Sequence, residues 1–333
     1  MITIKEIAAL AGTSRGTVDR ALKGRAGVNA ETKARIDRIC REHNYIPNRA
    51  GVMLGLSKKQ YKVGAVLPSL DNHRFDGLIR GLELAENEYT DFGLRVELYE
   101  LGDSEREQLA AIDRLKKGGM QALVLFPAQG EALEKRLRAL NAEGVGVITL
   151  GRDLSPRKAH LSCGWTRCGK VAGELCAALA LASSGEFPIA VAGGGSDPGD
   201  EERVRSFLEQ AERAPAVSVR RVLSLGASEA ETAEKLRRTV RNYPDLSALF
   251  LCASAASEKT LADLPPNILC VSLGENDLTA RAMQKGLLHM TVSEQGEEQG
   301  KLALRLIVEG CLNARPLDGA HEAPVVIKNR FGA

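Results

Sequence analysis

Apolar residues recur at helical spacing over the first forty positions and then gather into strand-length blocks. Ile4, Ile7, Ala8 and Ala11 share one helical face, Val18, Ala21 and Leu22 a second, and Ile36, Ile39 and Cys40 a third. Polar residues mark the boundaries. Thr3-Ile4-Lys5-Glu6 reads as a capping box, in which Thr3 caps the first helix and Glu6 reaches back to it. Gly12-Thr13-Ser14 breaks that helix and Ser14 caps the next. After a loop with Gly24 and Gly27, Asn29 caps a third helix that ends near His43-Asn44. Two short helices joined by a glycine-containing turn make a helix-turn-helix.

Pro47 stops this unit. The stretch from Asn48 to Gln60 reads as a linker, because Gly51 and Gly55 each cost about 1 kcal/mol of helicity relative to alanine. Strand-like runs follow at Val63–Leu67, Leu94–Leu98, Ala122–Phe126 and Val145–Leu150. A second series occupies Ile189–Ala192, Val217–Leu225, Ala248–Cys252 and Ile268–Leu273. Helical stretches such as Glu105–Lys117, Glu131–Glu143, Gly169–Ala182, Glu202–Ala211 and Ala230–Asn242 separate them. The alternation predicts two parallel sheets with right-handed crossovers, hence an α/β body of two Rossmann-like lobes behind a small all-α head. Glu294–Asn313 reads as a late helix and Pro324–Ile327 as a closing strand. Ligands of such sheets bind beyond the carboxyl ends of the strands.

Composition narrows the class. The 333 residues suit two or three domains, with 44% hydrophobic and 26% charged positions. No apolar run approaches the roughly 18 residues that span a bilayer, so no membrane partner is expected. Met1–Lys5 lead into a charged amphipathic segment without a signal-peptide core, which predicts a cytoplasmic protein. The seven cysteines are odd in number and scattered, as reduced thiols would be. Residues 1–60 carry 12 Lys/Arg against 5 Asp/Glu, a balance of +7, while the rest of the chain balances at −5. A basic head on a mildly acidic body predicts an anionic partner, foremost nucleic acid, for the head alone.

The head resembles the LacI family of bacterial transcription regulators. The resemblance is carried by Thr3-Ile4-Lys5-Glu6-Ile7-Ala8, Ala11-Gly12-Thr13-Ser14, Thr17-Val18-Asp19-Arg20-Ala21-Leu22, Val28-Asn29 and Asn44-Tyr45-Ile46-Pro47-Asn48-Arg49. It implies a helix-turn-helix domain over residues 1–46, a hinge over 47–61 and an effector-binding domain over 62–333. It also implies that the second helix enters the major groove of an operator. Arg15, Gly16 and Arg20 then occupy base-reading positions, where either arginine can grip a guanine and Gly16 reads nothing. Thr17, Asn29, Thr32, Tyr45 and Asn48 fall at phosphate-contacting positions, and Thr3, Ser14 and Arg49 belong to the same interface. For each polar residue a solvated face or a cap is the alternative. Leu54 stands where the family wedges a leucine into the minor groove, or else it is a contact under the body. Gly51 and Val52 replace the usual alanine and arginine, which predicts a weaker hinge helix.

The body resembles the periplasmic-binding-protein type I fold, nearest its ribose-binding branch. The matching strings are Pro68-Ser69-Leu70-Asp71-Asn72 with Phe75 and Gly81, Val147-Ile148-Thr149-Leu150-Gly151-Arg152, and Arg203 ahead of Phe207. The resemblance implies crossings between lobes near 160, 291 and 320. One lobe then spans about 62–160 and 291–320, the other about 161–290 and 321–333. Asn72, Phe75, Arg152 and Arg203 keep the family's pocket types, whereas Arg74 replaces an aromatic ring. Gly151 and Gly274 stand where aspartates are expected, Ala253 where asparagine is, and Glu294 replaces glutamine. The resulting inventory of cations, with Arg167 nearby, predicts an anionic effector such as a sugar acid or sugar phosphate. The alternatives are arginines paired with Glu275, Asp277 or Glu294, and a cleft that takes no effector.

Other signals carry less. Gly193-Gly194-Gly195-Ser196 lacks the lysine and spacing of a nucleotide loop. Cys163, Cys168 and Cys176 are spaced unlike a zinc site, so no metal or cofactor is expected. No nucleophile–base motif suggests an enzyme. The sequence therefore predicts a homodimeric repressor on a palindromic operator under small-molecule control. The rivals are control by a protein partner, or an enzyme acting on a small anionic substrate.

Overall fold

Helices Ile4–Leu10, Arg15–Leu22 and Ala30–Glu42 bury Ile7, Ala8, Ala11, Val18, Ala21, Ile36 and Ile39 in one small core. The computed structural model describes residues 2–22, 27–43, 60–68, 75–194, 199–312 and 319–332. Each head helix starts at the expected cap. The Thr3 amide donates to Glu6 Oε2 at 2.8 Å while Thr3 Oγ1 accepts from the Glu6 amide at 3.3 Å. Ser14 Oγ accepts from the Thr17 amide at 3.1 Å, and Asn29 Oδ1 from the Thr32 amide at 2.7 Å. These bonds satisfy donors that a helix start leaves orphaned.

The strands of the body, in chain order, are β1 (Tyr61–Pro68), β2 (Leu94–Leu101), β3 (Ala122–Leu125), β4 (Gly146–Leu150), β5 (Ala159–Ser162) and β6 (Phe187–Gly193). They continue as β7 (Val217–Ser224), β8 (Ala248–Cys252), β9 (Leu269–Leu273), β10 (Met290–Ser293), β11 (Ala320–Glu322) and β12 (Val326–Lys328). The first sheet runs β11-β5-β4-β3-β1-β2, all parallel. The second runs β12-β10-β9-β8-β6-β7, parallel except where β12 opposes β10. Central strands such as β3, β6 and β8 are buried along their whole length, as parallel strands covered on both faces must be. The chain passes between sheets after Ser162, after Ser293 and after Glu322, each a few residues later than expected.

Each lobe contains a helix pair in backbone contact. Gly77 and Gly81 of helix Asp76–Tyr89 face Gly296 and Gly300 of helix Gly296–Leu312, and a Cβ added at Gly81 would lie 2.0 Å from the Glu297 carbonyl oxygen. In the second lobe Gly169 and Gly173 of helix Trp165–Leu181 meet helix Asp200–Ala211, where a Cβ at Gly169 would lie 2.3 Å from the Arg203 carbonyl oxygen. Only glycine permits such approach. Among the described residues no helix is long and apolar enough to cross a membrane, and no group of three His, Cys, Asp or Glu could hold a metal ion.

Candidate functional site

Two sites emerge. In the head, Arg15 and Gly16 form the exposed first turn of helix Arg15–Leu22, with Arg20 exposed one turn further along. Val18 and Ala21 bury the opposite face, so the fold itself directs the arginines outward. That first turn holds no acidic residue to offset the partial positive charge of the helix start. Thr17 and Thr32 are half-buried. Thr3, Ser14 and Asn29 spend side-chain oxygens on capping, which is the alternative raised for them. Tyr45, Asn48, Arg49 and Leu54 lie outside the described residues.

The second site is the cleft between the two sheets. Phe75, Leu78, Gly296 and Gln299 line it from the first lobe, while Arg203, Ala253, Ser254, Glu275 and Asn276 line it from the second. Cys163, Trp165, Glu294 and Gln295, at or beside the crossings, complete the wall. Arg203 is 5% exposed and Asp200 only 1%. Arg203 Nε donates to Glu294 Oε1 at 2.5 Å and its Nη1 to Asp200 Oδ1 at 3.4 Å; Asp200 also accepts from Ser254 Oγ at 3.0 Å. Burial works against the charged guanidinium, but Glu294 and Asp200 outweigh it and hold Arg203 above its ordinary pKa. Burial, with Glu294 adding to it, pushes the Cys168 thiol far up, so it remains protonated beside this cluster.

Glycine at 274 follows from the same geometry. Gly274 has φ +98°, and a Cβ there would lie 3.2 Å from Arg203 Nε and 3.4 Å from Glu294 Oε2. A side chain at 274 would therefore press on the Arg203–Glu294 pair. Gly151 likewise has φ +61°, and its missing side chain makes room for Phe126 at 2.6 Å. Phe126 joins Phe75 edge-to-face at 5.2 Å and Trp165 at 6.2 Å, an aromatic cluster behind the cleft wall.

The cation-rich cleft expected from the sequence does not form among the described residues. Arg152 lies outside the lining, stacked 5.5 Å over Phe126 and bonded to Asp103 at 2.7 and 2.8 Å. Arg167 pairs with Glu322 at 2.6 Å, and Arg203 is held by two carboxylates. Glu275 lines the cleft but takes Lys328 Nζ at 2.8 Å and the Ser293 hydroxyl. Arg74 and Asn72 fall outside the described residues. For Arg152 and Arg167 the neutralising carboxylate is close in space but remote in sequence, and Arg203 takes one such partner, Glu294, and one near neighbour, Asp200.

Sequence reasoning missed Asp200, Trp165, Ser254, Asn276, Gln295 and Gln299. Trp165 is the chain's single tryptophan and begins a helix of the second lobe, yet it packs in the apolar core of the first. Gln295 adopts φ +55° at a crossing, a conformation uncommon outside glycine. Gln299 Nε2 donates to the carbonyls of Glu294 at 2.8 Å and Cys163 at 3.3 Å, stitching two crossings together.

Residues 63–311 match the family profile described as periplasmic binding protein domain, and residues 3–48 match that of bacterial regulatory proteins, lacI family. The HTH-type transcriptional regulator IdnR of Escherichia coli is 40% identical over 88 residues, covering 26% of each chain. The HTH-type transcriptional regulator MalR of Streptococcus pneumoniae is 30% identical over 161 residues, 46% of this chain and 47% of the relative. These alignments span less than half of either relative. An ABC transporter solute-binding protein of Actinobacillus succinogenes with bound D-allose superposes with a TM-score of 0.67 at 15% identity, over 82% of this chain and 98% of its own. That likeness is one of fold.

Proposed function

The chain belongs, over residues 63–311, to the periplasmic binding protein domain family and its residues 3–48 match bacterial regulatory proteins of the lacI family; from that premise we propose that it is a cytoplasmic, sequence-specific transcription repressor without catalytic activity. It binds a palindromic operator as a homodimer, because one head reads only a half-site and two-fold symmetry doubles it. The observation that carries this reading is the exposed, basic start of helix Arg15–Leu22 on a head of balance +7. Arg15 and Arg20 read bases, Gly16 lets the helix approach closely, and Thr17, Thr32, Asn29, Tyr45, Asn48 and Arg49 set register on phosphates. Leu54 kinks the operator from the minor groove.

The effector sits between the lobes and favours their closure by touching both. Its class is a small neutral polyol. Phe75 and Trp165 offer apolar surface, Asn276, Gln295 and Ser254 offer polar groups, and Arg203, already balanced by Glu294 and Asp200, leaves no surplus positive charge for an anion. The D-allose in the Actinobacillus succinogenes fold neighbour is in keeping with this class. An anionic sugar derivative would need cations that the described cleft has already committed to carboxylates.

Selection of duplexes from a random-sequence pool by the purified protein tests the reading. We expect enrichment of two-fold symmetric sites, with Arg15→Ala eroding preference at one symmetry-related base pair by about 1–3 kcal/mol. No enrichment above the starting pool would sink it.

A further inference from the structure

A pair of charged side chains joins the two lobes beside the cleft. Arg80 rises from helix Asp76–Tyr89 of the first lobe, and Asp277 opens helix Asp277–Gln284 of the second. Arg80 Nη1 donates to Asp277 Oδ1 and Oδ2 at 3.1 and 3.2 Å, and Nη2 donates to Oδ1 at 3.1 Å. Glu297 Oε2 stands 3.8 Å from Arg80 Nε and holds the guanidinium from its own lobe. Both ends are rigidly mounted. Helix Asp76–Tyr89 is seated on helix Gly296–Leu312 through the glycine contact, while Asn276 and Thr279 form a capping box that fixes the start of the Asp277 helix. The neighbours Leu78 and Asn276 both line the cleft.

We propose that Arg80, Glu297 and Asp277 form an electrostatic latch that favours closure of the lobes before any effector binds. Separating the lobes must break the fork between Arg80 and Asp277, whereas the Arg80–Glu297 contact lies within one lobe and survives. The charges therefore stabilise the closed arrangement selectively. The fork geometry is the strong form of a guanidinium–carboxylate contact. Its solvent exposure keeps the effect modest, so the latch tunes the balance of open and closed forms rather than locking it. It also makes that balance sensitive to ionic strength.

Trp165 supplies the readout, since it is the chain's single tryptophan, lines the cleft and is 8% exposed with the latch formed. Acrylamide quenching of its fluorescence in the full-length protein, without effector or DNA, measures opening. Arg80→Gln and Asp277→Asn should each raise the open population roughly two- to fivefold, and the quenching constant with it. The double variant should be no more quenched than either single one. Added salt should raise quenching more in the wild type than in the double variant, which keeps the Arg167–Glu322 pair near the crossings. Unchanged quenching in both single variants with native circular dichroism would overturn the latch, as would additive effects in the double variant. Neither outcome bears on operator binding or on the effector's class, so the latch and the proposed function fail separately.

Discussion

At the scale of single residues, Arg203 and Glu294 show how a buried charge is kept. Their side chains are 6% and 9% exposed, and Asp200 completes the arrangement at 1%. Removing one partner strands the other in low dielectric, so Glu294→Ala should lower unfolding free energy in urea by about 3–5 kcal/mol. Glu298→Ala, on an exposed side chain of the neighbouring turn, should stay within about 0.5 kcal/mol. His160 makes a pH-dependent contribution. Burial depresses its pKa below the ordinary imidazole value, outweighing the opposing pull of Asp153, while Arg157 adds to the depression. The folded state therefore prefers the neutral ring, whose Nδ1 lies 3.1 Å from Thr149 Oγ1. Its stability is fully present above the unfolded value and is lost as pH falls from there through the folded one. Denaturation midpoints measured from pH 7.5 to 5 should fall less steeply in His160→Gln than in the wild type.

At the scale of elements, legibility followed local signal. The three head helices were readable to their caps because Thr3, Ser14 and Asn29 act within three residues of themselves. Long strands such as β6 and β8 announced themselves as apolar blocks. β5, β10 and β11, with three or four residues each, were not seen, since their stability comes from neighbours far along the chain. The cleft was half-legible for the same reason. Phe75, Arg203 and Glu294, named from the resemblance, line the cleft, but the remote carboxylates that neutralise the arginines are set by tertiary approach. Arg152 meets Asp103 and Arg167 meets Glu322, pairings that no spacing rule encodes. The glycine contacts yield a test at this scale. Gly81→Ala gains about 1 kcal/mol of helix propensity yet must force two backbones apart. It should destabilise the protein by about 1–3 kcal/mol in urea unfolding, whereas Gly185→Ala, with open space around it, should be near neutral.

At the scale of the whole molecule, charge is divided by role. The +7 balance of the first 60 residues serves the proposed duplex contact, and the −5 of the remainder discourages the body from competing for it. Operator affinity should accordingly fall about a hundredfold or more between roughly 50 and 200 mM salt, measured by fluorescence anisotropy. A flat salt response would deny the head its phosphate contacts. The three crossings give the body its means of response. Gln299 ties two of them together, so a change of lobe angle is felt at both.

The paired glycines also set the terms on which this sensor could be retargeted. Gly77, Gly81, Gly296 and Gly300 hold the scaffold of one lobe, and Gly169 and Gly173 that of the other, through main chain alone. Partly exposed side chains of the lining, such as Gln295, stand apart from those contacts. A library randomised at Gln295 and similar lining positions, with those six glycines and the Asn276 cap held constant, would explore new ligands on the same chassis.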